Sequence, residues 1–254
     1  MTLPREARPT LGFVDEYCEL FADLWPEVRS FEAFKYLHVG MISDLKRKTL
    51  PAIAKAVGLD NEQGLHHLPT GSPWSVTRLR RRRSSLILEL LQGESLILLI
   101  DETSDCKKGH QTDYVKRQYI GNVGKRENGI VTVTAYGLFK GMGILLYFEV
   151  FKPRDRLKPG DTYQTKPQIA GAIIRELTSF GFHFKLVLTD SLYGESGSNF
   201  ISMLEALNLP YIVAIRSNHG VWVLEGSCQI SVAKSGQTLL MRSPLLSRLS
   251  CSLE

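Results

Sequence analysis

Hydrophobic residues change their spacing near residue 96 of this chain. Before that point, apolar side chains recur every three or four residues, as along 13–24, which predicts amphipathic helices. From Leu96 onward, short apolar runs rich in β-branched and aromatic residues predict strands. Helices and a sheet that follow one another must bury their apolar faces in separate layers or domains. We therefore expect an α/β protein with a helical domain at its N-terminus.

The second part of the chain predicts a mixed sheet. The segment KGMG at 140–143 predicts a hairpin between two strands, and Asn128-Gly129 is a turn signal ahead of the first of them. Thr165 and Gln168 have the spacing of a capping box, which predicts a helix that begins there. A hairpin continued by β-α-β units gives a mixed sheet with helices on its faces. Strands are expected at 96–100, 129–139, 143–151, 185–189 and 211–216, with helices near 165–181 and 198–210.

Basic residues concentrate in one predicted helix. The formal net charge is +5 and the isoelectric point is near 9.0, which favours an anionic partner. The segment RLRRRR places arginines at Arg78, Arg80, Arg81, Arg82 and Arg83. Two interpretations stay open for this cluster: a solvated charged surface, or a patch that contacts nucleic-acid phosphates. Residues 49–59 likewise fit either a helix-turn-helix or a small helical bundle.

Composition argues against several classes of protein. Of the 254 residues, 43% are hydrophobic, and no apolar run approaches the roughly 20 residues that a membrane span needs. The first ten residues lack the apolar segment of a secretory signal. The four cysteines lie far apart, without the paired spacing of a zinc site or a disulfide framework. We expect a cytoplasmic protein without a membrane segment.

Two predicted strands end in a carboxylate. LILLI runs into Asp101, and KLVLT runs into Asp190. If the two strands are parallel neighbours, about 4.8 Å apart, both carboxylates come within reach of one or two ions. Oxygen ligands without a nearby Cys or His cluster point to Mg²⁺ or Mn²⁺. Each Asp could instead merely cap the turn that follows it, but two of them in this topology favour the metal site.

Three motifs together resemble the DDE-type transposases of bacterial insertion sequences. They are LILLIDETSDCKKG, VKRQYIGNVGKREN and LVLTDSLYGES, in that order, and the resemblance runs roughly from Phe13 to Val223. It implies an N-terminal helical domain followed by a ribonuclease H-like mixed β-sheet flanked by helices. The implied domains are a DNA-binding helical domain at 1–92, an incomplete catalytic core at 93–224 and a degenerate or frameshifted tail at 225–254.

The resemblance also implies a mechanism and partners. In such enzymes two aspartates and a later glutamate hold two metal ions for attack on a DNA phosphodiester. Carried over, Asp101 and Asp190 are the catalytic, metal-binding aspartates. Arg117 and Lys125 of the second motif are expected to touch DNA phosphates, as are the arginines at 78 and 80–83; an incidental charged turn is the alternative for the second motif. The implied partners are double-stranded DNA of transposon ends and a second copy of the chain.

The third acid departs from the family pattern. In this group it lies on a helix well beyond the last strand, and the 38 residues after Arg216 do not resemble that helix. Glu225 follows VWVL and precedes Gly226, as at a strand end, so it is a poor match. Glu254 is a weaker match still. We therefore expect a truncated transposase that lacks the third acid and is inactive as encoded.

Two other functions are compatible with parts of the sequence. A DNA-binding remnant or regulator of transposition would keep the helical domain and its arginines and cut nothing. A metal-dependent phosphohydrolase could use Asp101 as a nucleophile, but Thr103 stands where such a site wants a second acid. The three motifs favour the transposase.

Overall fold

The computed structural model describes residues 6–216, 227–232 and 237–242. The chain divides into two compact units, Met1–Ile87 and Leu88–Glu254. The change in hydrophobic spacing near residue 96 thus lies close to the boundary between a helical unit and a unit built on a sheet.

Helices make up the first unit, and an aromatic cluster fills its core. Phe34 packs against the rings of Phe21 and Trp25, and Trp25 contacts Trp74. An added Cβ at Gly40 would overlap Ile53, which shows how closely the second and third helices approach. The helices are α1 (Gly12–Glu19), α2 (Val28–Ile42), α3 (Leu50–Ala56), α4 (Gln63–Thr70) and α5 (Val76–Leu91), whose last residues belong to the second unit.

A mixed sheet forms the second unit. Its strands are β1 (Leu96–Cys106), β2 (Lys116–Ile120), β3 (Lys125–Phe139), β4 (Met142–Val150), β5 (Phe184–Thr189), β6 (Tyr211–Arg216), β7 (Ser227–Val232) and β8 (Gln237–Arg242). Its helices are α6 (Lys166–Phe180), α7 (Ser191–Gly194) and α8 (Ser202–Ala206). The expected capping box is present, since Thr165 and Gln168 bond each other's backbone at the start of α6. Nowhere in the described ranges is there a helix long and apolar enough to cross a membrane.

The strand order defines the fold. Five strands lie in the order β4-β3-β1-β5-β6, with β3 antiparallel to β1 and β4. Strands β5 and β6 run parallel to β1. A three-strand antiparallel meander extended by two parallel crossover strands is the ribonuclease H-like arrangement, so the predicted fold class is confirmed. Strand β8 then adds to β6 in the antiparallel direction, and β7 follows it.

The structure corrects three details of the sequence-based expectation. Strand β1 continues to Cys106, beyond the predicted end at Ile100, because β3 pairs with it along its whole second half. Strand β2 was not expected, because its sequence, KRQYI, has no alternating apolar pattern. The helix predicted near 198–210 is interrupted, with a π turn at Gly197–Ile201 ahead of α8.

Candidate active site

Asp101 and Asp190 follow paired residues of the two central parallel strands. Ile100 of β1 is the register partner of Thr189 of β5, and each aspartate is the next residue along its strand. Asp101 therefore lies inside β1, where β1 leaves β5 but remains paired with β3. Asp190 ends β5 and caps α7, because its carboxylate accepts a hydrogen bond from the Leu192 N–H at 3.0 Å. The structure thus brings the two predicted site aspartates to one point of the sheet.

Electrostatics couple the two carboxylates. Partial burial raises the pKa of Asp190, and the negative charge of Asp101 raises it further. The backbone N–H groups of Leu192 and Tyr193 act in the opposite direction. Two like charges repel each other, and a divalent cation that binds between them relieves this repulsion.

Asp101 itself is held by its neighbours on β1 and β3. Its side chain accepts a hydrogen bond from the Glu102 N–H at 2.7 Å. Its carbonyl oxygen accepts from the hydroxyl of Thr134, which is its register partner on β3, at 2.9 Å. These contacts fix the backbone of β1 where its carboxylate is exposed to solvent.

Glu102 faces the opposite side of β1, because successive side chains of a strand alternate. Lys166, the first residue of α6, donates to its Oε2 at 2.7 Å. Burial raises the pKa of Glu102, while Lys166 lowers it, and Asp190 and Asp101 add to the increase. The other oxygen, Oε1, is buried without a hydrogen-bond partner, and so is the hydroxyl of Tyr193. Two buried polar atoms near the aspartates, Glu102 Oε1 and the Tyr193 hydroxyl, therefore lack hydrogen-bond partners.

Helix α7 is clamped to β6. An added Cβ on Gly194 would overlap the carbonyl oxygen of Ala214, so only glycine permits this approach. Two residues beyond Ala214, Arg216 donates hydrogen bonds to the Glu195 carboxylate from its backbone N–H and its guanidinium, at 2.6–3.0 Å. These contacts hold in place the short helix that Asp190 caps.

The residues present fit a divalent metal ion. The donors at this point are carboxylate oxygens, which Mg²⁺ and Mn²⁺ prefer. The mutual repulsion of the aspartates indicates a site that lacks positive charge. No cluster of three or more His, Cys, Asp or Glu side chains arranged for a metal occurs in the described part of the chain. Among the residues that the structure describes, the candidate metal ligands are thus Asp101 and Asp190.

The arginines of α5 differ in how far they are exposed to solvent. Arg82 donates to the carbonyl oxygen of Leu20 and to Asp23 at 2.9 Å, so it ties α5 to the segment after α1. Arg83 is half-buried, and Tyr17 interacts with it electrostatically. Arg78 lies 3.9 Å from Asp23. Of the predicted DNA contacts on α5, Arg78 and Arg81 are the exposed ones.

The second motif forms the β2–β3 hairpin. Arg117 is exposed on β2, and Lys125, at the start of β3, pairs with Glu127 at 3.0 Å. The hairpin also exposes Tyr119 and Arg126, which sequence reasoning did not single out among the DNA contacts. Side chains alternate between the two faces of a strand, so RQY within a strand would place Tyr119 on the same face as Arg117. This segment was not recognised as a strand. Glu225 and Glu254, the candidates for the third acid, lie outside the described residues.

The fold and the paired aspartates define a class of protein. A ribonuclease H-like sheet with an aspartate on each of two adjacent parallel strands is the architecture of the DDE nucleases. Residues 24–237 match the sequence model of the family described as "DDE superfamily endonuclease", and the chain belongs to that family.

Similar proteins agree with this assignment. The chain is 66% identical over 224 residues to the "Probable transposase for insertion sequence element IS701" of Microchaete diplosiphon. The match covers 88% of this chain and 59% of that relative, so the chain spans little more than half of the relative's length.

Solved structures give more distant matches. The Drosophila P element transposase strand transfer complex has 14% identity and a TM-score of 0.28, with 71% of this chain and 36% of that chain covered. The Mos1 strand transfer complex has 14% identity and a TM-score of 0.26, with 72% and 57% covered. The fold assignment rests on the strand order of this chain itself.

Proposed function

We propose that this chain is a transposase polypeptide of an insertion sequence, and that Asp101 and Asp190 bind the metal for cleavage and transfer of DNA strands. The observation that carries the proposal is the parallel register of β1 and β5, which makes the two aspartates neighbours. Family membership and the IS701 relative support the substrate class. The proposed partners are double-stranded DNA of the element's ends and a second copy of the chain, in the cytoplasm.

The roles of the residues follow from their positions. Asp101, exposed on β1, and Asp190, fixed by its hydrogen bond to α7, would hold Mg²⁺ or Mn²⁺. When bound, such an ion activates a water or hydroxyl nucleophile and stabilises charge on the phosphoryl oxygens. Lys166 offsets negative charge beneath the aspartates through its pair with Glu102. Arg216 and Glu195 keep α7, and hence Asp190, against β6.

A second candidate function is a DNA-binding regulator that cuts nothing. It is favoured by the absence, in the described ranges, of a third acid clustered with the two aspartates. A two-metal centre clamps both the attacking and the leaving oxygen, and two carboxylates anchor the ions poorly. We therefore propose that Asp101 and Asp190 by themselves bind metal weakly and support DNA cleavage poorly or not at all.

Metal binding tests the site without relying on activity. At ten times its dissociation constant, Mn²⁺ should raise the free energy of unfolding by about 1.4 kcal/mol. Asp101→Asn and Asp190→Asn should each remove that gain. The matched control is Asp105→Asn, because Asp105 is an exposed acid on the same strand, paired with Lys107 at 2.5 Å. A gain that survives both Asn substitutions would refute the site.

Strand cleavage separates the two functions. DNA that contains an element end should be incubated with Mn²⁺ and the wild-type chain, Asp101→Asn, Asp190→Asn or Glu225→Gln. Binding without cleavage in all four would support the regulator. Cleavage lost in the two Asn variants and kept in Glu225→Gln would support a transposase with another third acid. Cleavage also lost in Glu225→Gln would make Glu225 that acid.

A further inference from the structure

The β2–β3 hairpin curls back over the second half of β1. The N–H of Gly121, in its turn, donates to the Ser104 hydroxyl at 3.0 Å. Ile120 is fully buried, and a Cβ on Gly129 would lie 2.6 Å from its Cδ1 and 2.5 Å from the carbonyl oxygen of Asp105. Ser104 is three residues beyond Asp101, a distance of about 10 Å along a strand. Side chains alternate along β1, so Ser104 shares the face of Glu102, and the hairpin is anchored to that face of the strand.

Strand alternation sorts the hairpin's side chains into two faces. Tyr119 is the register partner of Arg126, and Arg117 is the partner of Asn128, so these side chains share one face. Ile120 is on the other face and is buried there, so the first face points outward. Tyr119 is 61% exposed, and Arg117 and Arg126 are exposed as well. We call Arg117, Tyr119 and Arg126 the outer face of the hairpin.

Ion pairing distinguishes the same two faces. Lys116 and Lys125 lie opposite the outer face, and each has an acidic partner: Asp155 at 2.6 Å and Glu127 at 3.0 Å. Arg117 and Arg126 make no ion pair with any residue that the structure describes. The outer face therefore combines two uncompensated guanidinium groups with an exposed aromatic ring between them.

We propose that the outer face binds a single-stranded segment of the DNA on which the chain acts. Arg117 and Arg126 contact its phosphates, and Tyr119 stacks on an unpaired base. An aromatic ring flanked by cations is the usual platform for an unpaired strand, because a ring can stack only on a base that is free of its duplex neighbours. This inference rests on the proposed function for the class of ligand, and it adds both the residues and the form of DNA that they hold.

Binding in EDTA tests the inference, since no cleavage occurs there. The probes are a duplex with a five-nucleotide single-stranded flank and a fully paired duplex of equal length, followed by fluorescence anisotropy. Tyr119→Ala should weaken binding of the flanked DNA roughly five- to 150-fold and leave the paired duplex unchanged. Tyr119→Phe should retain wild-type affinity, because it keeps the ring. Arg117→Ala and Arg126→Ala should each reduce the slope of log K against log salt by about 0.7.

Lys116→Ala and Lys125→Ala are the matched controls, since both remove a cation of the same hairpin from the opposite face. They should leave the slope unchanged. Equal losses in Lys116→Ala and Arg117→Ala would overturn the proposal, because the effect would then be general charge. Equal losses of both DNAs in Tyr119→Ala would overturn it as well. Cleavage by the wild-type chain with Mn²⁺ is measured separately, so a failure of the proposed catalytic role appears in cleavage and leaves this binding in EDTA unaffected.

Discussion

At the scale of single residues, Gly194 shows how little space separates α7 from β6. Its missing side chain lets the helix backbone lie against the Ala214 carbonyl oxygen, and Asp190 caps that helix. A residue with no chemistry of its own thus sets the position of a candidate metal ligand.

We expect Gly194→Ala to destabilise the chain by about 1–3 kcal/mol, the usual cost of overpacking. It should also abolish the stabilisation by Mn²⁺, because α7 must move away from β6 and take Asp190 with it. Urea unfolding with and without Mn²⁺ measures both effects. Gly197→Ala is the control, since nothing lies within 4 Å of its added Cβ. Equal behaviour of the two variants would contradict this explanation.

Lys166 and Glu102 form a pair in which both side chains are mostly buried, with 22% and 25% exposed. We expect Lys166→Met to cost about 1–2 kcal/mol, less than for a fully buried pair because both groups retain some contact with water. The double variant Lys166→Met, Glu102→Gln should recover most of that loss, since no buried charge is then left unpaired. Thermal unfolding of the single and double variants gives the comparison. A double variant as unstable as Lys166→Met would show that packing, and not charge, is responsible.

At the scale of secondary-structure elements, α5 carries arginines with different roles. Arg82 bonds to Leu20 and Asp23 of the same unit, whereas Arg81 is exposed. We expect Arg82→Ala to lower the free energy of unfolding by about 1 kcal/mol, the contribution of a charge-assisted hydrogen bond at a partly exposed site. Arg81→Ala should leave stability unchanged and lower the salt slope of duplex binding by about 0.9. Unfolding and DNA binding should both be measured on the two variants. An Arg81→Ala variant less stable than Arg82→Ala would contradict these separate roles.

Elements with strong local patterns could be predicted from the sequence. The apolar runs gave the central strands, and the Thr165–Gln168 box gave the start of α6. The proximity of Asp101 and Asp190 was expected only on the condition that their two strands are parallel neighbours, and β1 and β5 do pair in that way. The curled hairpin could not be predicted, since it depends on Gly121 reaching Ser104 and on Gly129 admitting Ile120. Such contacts join distant positions and leave no period in the sequence. The hydrogen-bond partners of the α5 arginines, such as Leu20 and Asp23 for Arg82, could not be predicted for the same reason.

At the scale of the whole molecule, the first unit contains an ionic network centred on Lys35. Lys35 is only 4% exposed, and it bonds to Asp15 at 2.7 Å and to the carbonyl oxygen of Arg8 at 2.6 Å. Glu32 accepts from the Arg8 N–H at 2.7 Å. Residues ahead of α1 are thereby fastened to α2 by charge.

This network should make the helical unit sensitive to acid. Burial opposes ionisation of Asp15, but Lys35 and Thr10 outweigh it and lower its pKa. A depressed carboxyl pKa stabilises the fold above the unfolded value, near pH 4, and this contribution is lost as pH falls through the folded value. We expect Asp15→Asn to cost about 1–2 kcal/mol at pH 7 and progressively less as pH falls below the unfolded value. Unfolding of both proteins across this range is the measurement, and a cost independent of pH would exclude the ionic explanation.

The parallel pairing of β1 with β5 has a consequence in time. Asp101 and Asp190 are adjacent in the sheet, but 89 positions separate them in the chain. At about 5–20 residues per second of translation, roughly 4–18 s pass between the synthesis of the first aspartate and that of the second. During that interval β1 can pair only with strands of its own meander, and Asp101 stands alone. The paired carboxylates are therefore a late product of biosynthesis, and a polypeptide released between the two codons carries half of the site.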